Sequence, residues 1–428
     1  MRSPPRFASS PDDQRGEPLV TTIYCYDDAR ARSFEPFALT RPACELRAGG
    51  DVLRRRWEMA LGATCAGFLG AGHLASFDEP WAPGAATGSL AAGSIVVNSR
   101  CAVSLAPTDV DGSLWACEGE VAAVRLAADT PVEFFADGRC SIATLARMDA
   151  ALTPIAGRWL TNVWDLIGTL PAMLGEDIPL LADELMASGA PSHATVTGSH
   201  PVFAEGGAIV EPMVVLDTTE GPILLRKGSV VRSFTRLVGP AVVGAGSSVV
   251  GDRVACVSIG DMCKVHGEVS TTIFLGHSNK GHDGFVGHSI LGHWVNLGAG
   301  TVTSNLKNTY STVSIWTPDG VRDSGLQFLG TLFADHVKTG IGLRLTTGCV
   351  LGAGANVFDQ MPPRAVAPFS WGGSTPYAAF AFDKFCTIAR RVMLRRNVEL
   401  TARGEQQLAA AHARTGDPAY AARWVAES

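Results

Sequence analysis

The chain has 428 residues, of which 46% are hydrophobic and 18% charged, and its formal net charge is −6. This composition excludes a disordered protein, and the length is enough for two or three domains with buried cores. The sequence has no basic block that would bind nucleic acid or an anionic membrane surface, and no apolar run long enough to span a bilayer. We therefore expect a globular protein that binds neither nucleic acid nor a membrane.

The first 190 residues are predicted to contain a tail and one domain. Residues 1–19 are rich in Pro, Ser, Asp and Arg, which predicts a disordered tail. In residues 20–190, short β-rich runs alternate with helical patterns, which favours an α/β domain. The first run should be a strand ending before Asp27 and Asp28, and Asp51 should cap a helix that continues to about Leu61.

The ten cysteines bear on the cellular compartment. They form neither a CxxC pair nor a compact framework. Such a pattern is typical of reduced thiols, so we expect a cytoplasmic protein.

The pattern changes near residue 196, where small aliphatic residues begin to recur every six positions. The first of them are Val196, Val202, Ala208 and Val214. A six-residue unit with Gly, Pro or Ser at its corners predicts a parallel β-helix with flat faces. A loop-rich β-sandwich is the alternative, but a sandwich has no reason to keep this period. We predict a β-helix over 191–372, with an excursion at 305–335, and terminal helices over 373–428.

One stretch of this β-helix, residues 277–305, concentrates the polar chemistry. Four histidines fall within 17 positions, followed by an Asn-Leu-Gly-Ala-Gly-Thr segment at 296–301. The histidines are His277, His282, His288 and His293. Histidines in a coil of this kind can face a shared groove, and we place the candidate site there.

The segments Asn279-Lys280-Gly281-His282 and 296–305 resemble the acetyltransferase half of a known family. This family is the bifunctional N-acetylglucosamine-1-phosphate uridylyltransferases/glucosamine-1-phosphate acetyltransferases. Its pattern is Lys-x-x-His, a short aromatic-containing link, then Asn-[aliphatic]-Gly-Ala-Gly-Thr-[aliphatic]-Thr-x-Asn, and no gap is needed from His282 to Asn305. The resemblance implies a left-handed parallel β-helix of hexapeptide repeats, a homotrimer, and acyl transfer from acetyl-CoA or another acyl-CoA to an amino sugar that is phosphorylated or nucleotide-linked.

The resemblance also implies roles for single residues. His282 would be the general base that takes a proton from the attacking amine, a task that suits a neutral imidazole, and Glu268 would orient it. The acceptor sugar would be bound by Asn296, Lys280 and Phe285. The acyl-CoA would be bound by Ala299, Asn305 and Leu306.

Three positions depart from the family pattern. The family's acceptor-binding Tyr is Phe285 here, and one binding Lys is Ser270. The family's upstream Arg has no secure counterpart, although Arg253 or Lys264 could serve. The acceptor can therefore differ from glucosamine 1-phosphate.

The N-terminal domain resembles the nucleotidyltransferase-like, Rossmann-like α/β domain of a divergent bacterial branch of that family. The likeness is carried by segments such as Thr40-Arg41-Pro42 and Glu45-Leu46-Arg47. The chain lacks the Gly-rich loop that holds a triphosphate on backbone N–H groups. The resemblance implies sugar phosphate and nucleoside triphosphate as substrates; Arg41 and Arg47 could hold phosphate, and Asp27 or Asp28 could ligate Mg²⁺. No other metal is assigned.

Two alternatives remain open. His277 and His282 are five apart, as are His288 and His293, and a His-x4-His pair with a third histidine binds Zn²⁺ in γ-class carbonic anhydrases. The N-terminal domain could also be a non-catalytic nucleotide-sugar-binding or assembly module. In that case Arg41, Glu45 and Arg47 would belong to an internal salt-bridge network.

Overall fold

The computed structural model describes residues 21–136 and 138–425. They form an N-terminal α/β domain, a parallel β-helix of the left-handed type and a group of C-terminal helices. The predicted fold class is therefore confirmed. The predicted tail at 1–19 lies outside the described residues. None of the described helices combines the length and the hydropathy that a membrane span requires.

The N-terminal domain is built on a six-stranded mixed sheet. In order across the sheet, the strands are Leu152–Pro154, Leu114–Cys117, Glu120–Arg125, Ile95–Asn98, Thr22–Tyr26 and Thr64–Leu69. The last three are parallel, whereas Glu120–Arg125 is antiparallel to both of its neighbours. Buried Ile23, Cys25 and Val97 pack into the core on one face, and Tyr26, Val96 and Val124 are buried on the other, so both faces of the sheet are covered.

Three helices and several short strand pairs complete the domain. Helix α1 is Leu53–Leu61, α2 is Asp165–Gly168 and α3 is Leu170–Glu184. The short pairs are Arg47–Ala48 with Asp51–Val52, Ser89–Leu90 with Thr130–Pro131, and Cys101–Val103 with Gly157–Trp159. The prediction that Asp51 caps α1 is wrong. Val52 is the N-cap residue, and Asp51 instead pairs with Ala48 in a two-residue strand.

The β-helix winds through three faces per turn. We name them the domain-side face, the groove face and the third face. The domain-side face begins with Val202–Ala204 and Ile223–Leu225, continues through the ends of the long strands Thr235–Val243, Asp252–Ile259 and Val269–Phe274, and ends with Ile290–Leu291, Leu332–Phe333, Val350–Leu351 and Ala365–Val366. The groove face contains Ile209–Val210, Val230–Val231, Ser248–Val249, Lys264–Val265, Asn279–Lys280, Lys338–Thr339, Asn356–Val357 and Ser370–Gly372. The third face contains Thr195–Gly198, Val215–Thr218, the starts of the long strands, Val286–Gly287, Val302–Thr303 and Arg344–Leu345.

Aliphatic side chains fill most of the interior of the β-helix, although Lys280 and Thr339 are the inward residues of their turns on the groove face. On the groove face the aliphatic residues are Val210, Val231, Val249, Val265, Leu297 and Val357. The six-residue period follows from this geometry, because one inward residue per face recurs once the chain has passed a corner. An excursion over 306–331 contains the hairpin Ser314–Ile315 and Arg322–Asp323 and interrupts the winding without changing its register.

The domains pack closely through α3 and through the C-terminal helices. Helix α3 lies on the domain-side face. Helices α4 (Phe382–Leu394), α5 (Ala402–Thr415) and α6 (Pro418–Val425) follow the β-helix. Helix α4 packs against it through Phe385. Helices α5 and α6 bond back to the N-terminal domain, for example through Tyr420 and Glu35 at 2.7 Å.

Candidate functional site

One outward position of the groove face carries polar side chains over four successive turns. The strand register aligns Lys264 with Asn279, Asn279 with Asn296, and Asn296 with Lys338. Strands in a sheet lie about 4.8 Å apart, so these side chains stand in one column. The Asn279 Nδ2 donates to the Asn296 Oδ1 at 2.8 Å. We call these four residues the polar ladder.

The polar ladder lines a cavity of about 640 Å³. The opposite wall comes from the end of α4 and the residues after it. Together with the ladder, the lining consists of His277, His282, Trp294, Val295, Ile388, Val392, Arg395 and Arg396. Within 21–136 and 138–425, no Asp or Glu side chain belongs to this lining. The cavity therefore has a strongly positive surface.

His282 lies at the corner that follows the ladder strand Asn279–Lys280, and its side chain is exposed. This corner stacks on the next one, because the Gly300 N–H donates to the Asp283 carbonyl at 3.3 Å. Gly284, at φ +110°, allows the approach, since a Cβ there would lie 2.4 Å from the Thr301 carbonyl oxygen. His282 therefore lines the cavity from the corner that stacks on the one containing Ala299.

Lys280 was expected to bind the acceptor sugar, but it does not belong to the lining of the cavity. Its side chain is 2% exposed, and its ammonium donates to the carbonyls of His266 at 2.8 Å and of His282 and Asp283. Burial lowers the pKa of Lys280 to about 8. The cause is strand alternation, because Asn279 points outward and the next residue must point inward. Counting back three positions from His282 also places Asn279 at the Lys of the Lys-x-x-His pattern.

Glu268 is exposed on the turn before His282. Its carbonyl accepts from the Val286 N–H at 2.9 Å. Among the described residues, no hydrogen bond joins its carboxylate to the His282 ring. Phe285 is half-buried on the far side of the corner, where its carbonyl accepts from the Thr303 N–H at 2.9 Å.

The residues expected to bind acyl-CoA lie along the third face and its corners. Ala299 is half-buried, and its carbonyl accepts from the Gly342 N–H at 2.8 Å. The Asn305 Nδ2 lies 2.8 Å from the His288 Nδ1, and burial lowers the pKa of His288 to about 4. Leu306 forms an antiparallel bridge with Phe328 at the start of the excursion.

An aromatic column forms the corner between the domain-side and groove faces. His277, Trp294 and His336 occupy it in successive turns, all with positive φ, at 55°, 64° and 62°. The His277 ring lies 4.3 Å from that of Trp294, and Trp81 of the N-terminal domain stacks on it at 4.5 Å. Burial lowers the pKa of His277 to about 4 and that of His336 well below its usual value. These rings are therefore neutral at pH 7 and form an uncharged wall.

The histidine spacing does not produce a zinc site. One turn of the β-helix takes 279 − 264 = 15 or 296 − 279 = 17 residues. Each of the three faces therefore takes about five residues, so two histidines that are five positions apart lie at different corners. His277 and His293, 16 apart, do stack, with ring centroids 5.6 Å apart, but His282 and His288 lie at other corners. In the part of the chain that the structure describes, no group of three His, Cys, Asp or Glu side chains could hold a metal ion.

The arginine predicted to bind phosphate at position 41 is already paired. The Arg41 side chain is 1% exposed and makes ion pairs of 2.9 Å with both Glu79 and Asp335. Arg47 is 6% exposed, and its Nη1 donates to the Gly50 carbonyl at 2.5 Å. Glu45 pairs with Arg54 at 2.6 Å. The arginines therefore belong to internal networks, although Arg41, Glu45 and Arg47 do not pair with one another.

The two carboxylates expected to ligate Mg²⁺ do not fit that role in this arrangement. Asp28 accepts from Nε and Nη2 of Arg100, at 2.8 and 2.6 Å, and from Asn98 at 3.0 Å. Asp27 is buried and accepts from the Ala43 N–H at 2.8 Å. Burial raises the pKa of Asp27 to about 6. A magnesium ion would have to displace the Arg100 guanidinium from Asp28.

Sequence reasoning missed four polar residues of the cavity: Asn279, Lys338, Arg395 and Arg396. The first two could have been found by aligning successive turns, since they share a position with Lys264 and Asn296. The two arginines carry no such signal, because only the packing of α4 brings them to the groove face.

Residues 23–185 match the sugar nucleotidyl transferase family. The chain is also similar to curated proteins. It is 32% identical over 91 residues to a bifunctional sugar-1-phosphate nucleotidylyltransferase/acetyltransferase of Sulfurisphaera tokodaii, covering 21% of this chain and 23% of that protein. It is 26% identical over 206 residues to the bifunctional protein GlmU of Desulfitobacterium hafniense, covering 40% and 41%. It is 32% identical over 92 residues to the GlmU of Methanocaldococcus jannaschii, covering 20% and 22%. The chain thus matches less than half the length of each relative.

Proposed function

We propose that this chain, whose residues 23–185 form a domain of the sugar nucleotidyl transferase family, is a transferase of sugar-nucleotide synthesis. Its β-helix would move an acetyl or similar acyl group from CoA to the amino group of a phosphorylated or nucleotide-linked amino sugar. The observation that carries the proposal is that His282 and Asn296 line one cavity, on the corner and the strand position that the sequence motif joins.

The chemistry needs a base, an acceptor site and an approach for the thioester. The amine nitrogen attacks the thioester carbonyl carbon, and His282 takes the proton that the amine loses. The carbon–sulfur bond then breaks, and CoA leaves as a thiolate that takes up a proton. Asn279 and Asn296 present amide groups that can hold sugar hydroxyls.

The acyl donor is proposed to reach His282 from the corner at Ala299. Small residues there let a pantetheine arm run close to the backbone. In the next turn Ile341, adjacent to the bonded pair Gly342 and Ala299, is 77% exposed. We propose that a neighbouring copy covers this corner in a homotrimer, which sedimentation of the purified protein would test. A monomer at micromolar concentration would count against this arrangement.

For the N-terminal domain we propose two functions. Its family and its relatives' names favour nucleotidyl transfer to a sugar 1-phosphate, with Mg²⁺. The pairing of Arg41 with Asp335 and of Asp28 with Arg100 favours a binding or assembly module instead. Isothermal titration with UTP, dTTP, CTP and GTP, each with and without Mg²⁺, decides between them. Magnesium-dependent binding of one of these supports transfer, and no binding of any supports the module.

The acyltransferase proposal is tested with the variant His282→Ala. A panel of amino-sugar phosphates and nucleotide-linked amino sugars is incubated with acetyl-CoA, and the release of free CoA thiol is followed. We expect a loss of about 10²- to 10⁴-fold in turnover, the usual effect of removing a general base. His200→Ala, an exposed histidine of the same β-helix, is the matched control and should be unaffected. Equal turnover in wild type and His282→Ala would remove this residue from the role of base.

A further inference from the structure

Three cations line the cavity without a partner among the described residues. They are Lys264 of the polar ladder and Arg395 and Arg396, which follow α4. Elsewhere in the described chain, arginines near the domain junction are paired, as Arg41 is with Asp335 at 2.9 Å and Arg226 with Glu205 at 2.5 Å. The three cations in the cavity contrast with these two pairs.

The cavity concentrates positive charge and has no counter-charge. Lys338 adds a fourth amino group, but its Nζ donates to the carbonyls of Trp294 and His336, at 2.5 and 3.2 Å. Like charges around an enclosed space repel one another, and a bound anion removes that cost while gaining charge-assisted hydrogen bonds. The cavity is thus suited to a ligand that brings at least one phosphate group.

The positions of the cations give the ligand a direction. Arg396 lines the same cavity as His277, and its charge helps to lower the pKa of that histidine after the larger effect of burial. His282 lies at the opposite end of the same strand, five residues further on, which limits the separation of the two corners to about 17 Å. A sugar lying across the ladder amides would therefore present its amine at His282 and its phosphate at α4.

We infer that Arg395 and Arg396 form the subsite for the phosphate or diphosphate of the acceptor sugar, whereas the Lys264 side chain runs towards Gly281, on the side of His282. The inference rests on the proposed acyl transfer and deepens it. The end of α4, which lies outside the histidine motif, then determines whether an amino sugar is accepted. A phosphate of the acyl-CoA has the same chemistry, so the test must separate the two sources.

The test uses the full-length double variant Arg395→Gln/Arg396→Gln. With glucosamine 1-phosphate as acceptor, we expect KM to rise about 10- to 100-fold, the effect of losing charge-assisted hydrogen bonds, while kcat stays within about threefold. The KM for unphosphorylated glucosamine, and the KM for acetyl-CoA, should not change. Arg391→Gln, an exposed arginine of α4 outside the cavity, is the matched control, and Arg395→Lys/Arg396→Lys should restore part of the affinity.

A binding measurement makes the result independent of turnover. Titration of the wild type, His282→Ala and the double variant with inorganic pyrophosphate should show binding to the first two and a loss of at least tenfold in the third. Binding by His282→Ala with no acyl transfer in the wild type would separate failure of the proposed function from failure of this subsite. An unchanged pyrophosphate affinity in the double variant would overturn the inference. A KM increase for acetyl-CoA but not for dephospho-CoA would also overturn it, by assigning the cations to the donor.

Discussion

The N-terminal domain and the groove face of the β-helix use charged side chains in opposite ways. In the domain, Arg56 and Asp177 are each 1% exposed and bonded to each other, and Arg41 is held between two carboxylates. On the groove face, Lys264, Arg395 and Arg396 have no partner among the described residues. Paired charges of the first kind fix the fold, whereas unpaired charges around a cavity are available to a ligand. Pairing therefore separates structural arginines from candidate binding arginines better than residue type does.

The largest expected effect comes from breaking the most buried pair of the domain. In Asp177→Asn, the Arg56 guanidinium loses the carboxylate that it contacts at 2.5 and 2.9 Å, and it remains charged in the core. We expect the free energy of unfolding to fall by about 3–5 kcal/mol, measured by urea denaturation. The neighbouring Glu176→Gln, which removes an exposed pair with Arg158, should cost less than about 1 kcal/mol. Similar values for the two variants would contradict the structural role of the buried pair.

Lys280 is a buried cation near the groove that should stabilise the fold, as the paired cations of the domain do. In Lys280→Met, three carbonyls of the β-helix lose their donor, so we expect the free energy of unfolding to fall by about 1.5–3 kcal/mol. The KM for a phosphorylated acceptor should change far less than in Arg395→Gln/Arg396→Gln. A large rise in KM with unchanged stability would return Lys280 to a ligand-binding role.

The ladder amides should matter for the acceptor and not for the fold. In Asn279→Ala or Asn296→Ala, the acceptor loses one hydrogen-bonding amide, and we expect its KM to rise about 5- to 10-fold. The matched control is Asn356→Ala, which removes the next amide of the same column outside the cavity lining. Steady-state kinetics with acceptor and acetyl-CoA varied separately would check this. Equal effects in all three variants would indicate a structural role for the column.

The last prediction is a pH dependence of stability at Lys338. Burial lowers its pKa to about 7 from a usual value near 10.5. The unfolded state therefore takes up a proton first, and stability is lost as pH falls from about 10.5 to about 7. Lys338→Met removes this dependence, so the melting temperature of the variant relative to wild type should be higher at pH 7 than at pH 10. The same difference at both values, from thermal denaturation in matched buffers, would show that Lys338 titrates normally.

The sequence predicted those features that depend on local periodicity. The six-residue recurrence from Val196 onward predicted the β-helix, and the histidine motif led to His282 and Asn296, which line one cavity. It did not predict the direction of Lys280, because that requires the phase of the strand as well as its period. Nor did it predict the pairing of Arg41 with Asp335, since these residues are 294 positions apart and meet only when the two domains pack.

The C-terminal helices link the two halves of the molecule mechanically. The first of them, α4, supplies a wall of the cavity. Later residues form hydrogen bonds to the N-terminal domain: the Thr401 hydroxyl donates to the Asp78 carboxylate at 2.5 Å, and the Gln407 amide donates to the His73 carbonyl at 3.2 Å. Because of these hydrogen bonds, a small rotation of the N-terminal domain would also move the C-terminal helices and change the shape of the cavity entrance above the polar ladder. A movement of the N-terminal domain would therefore also move one wall of this cavity.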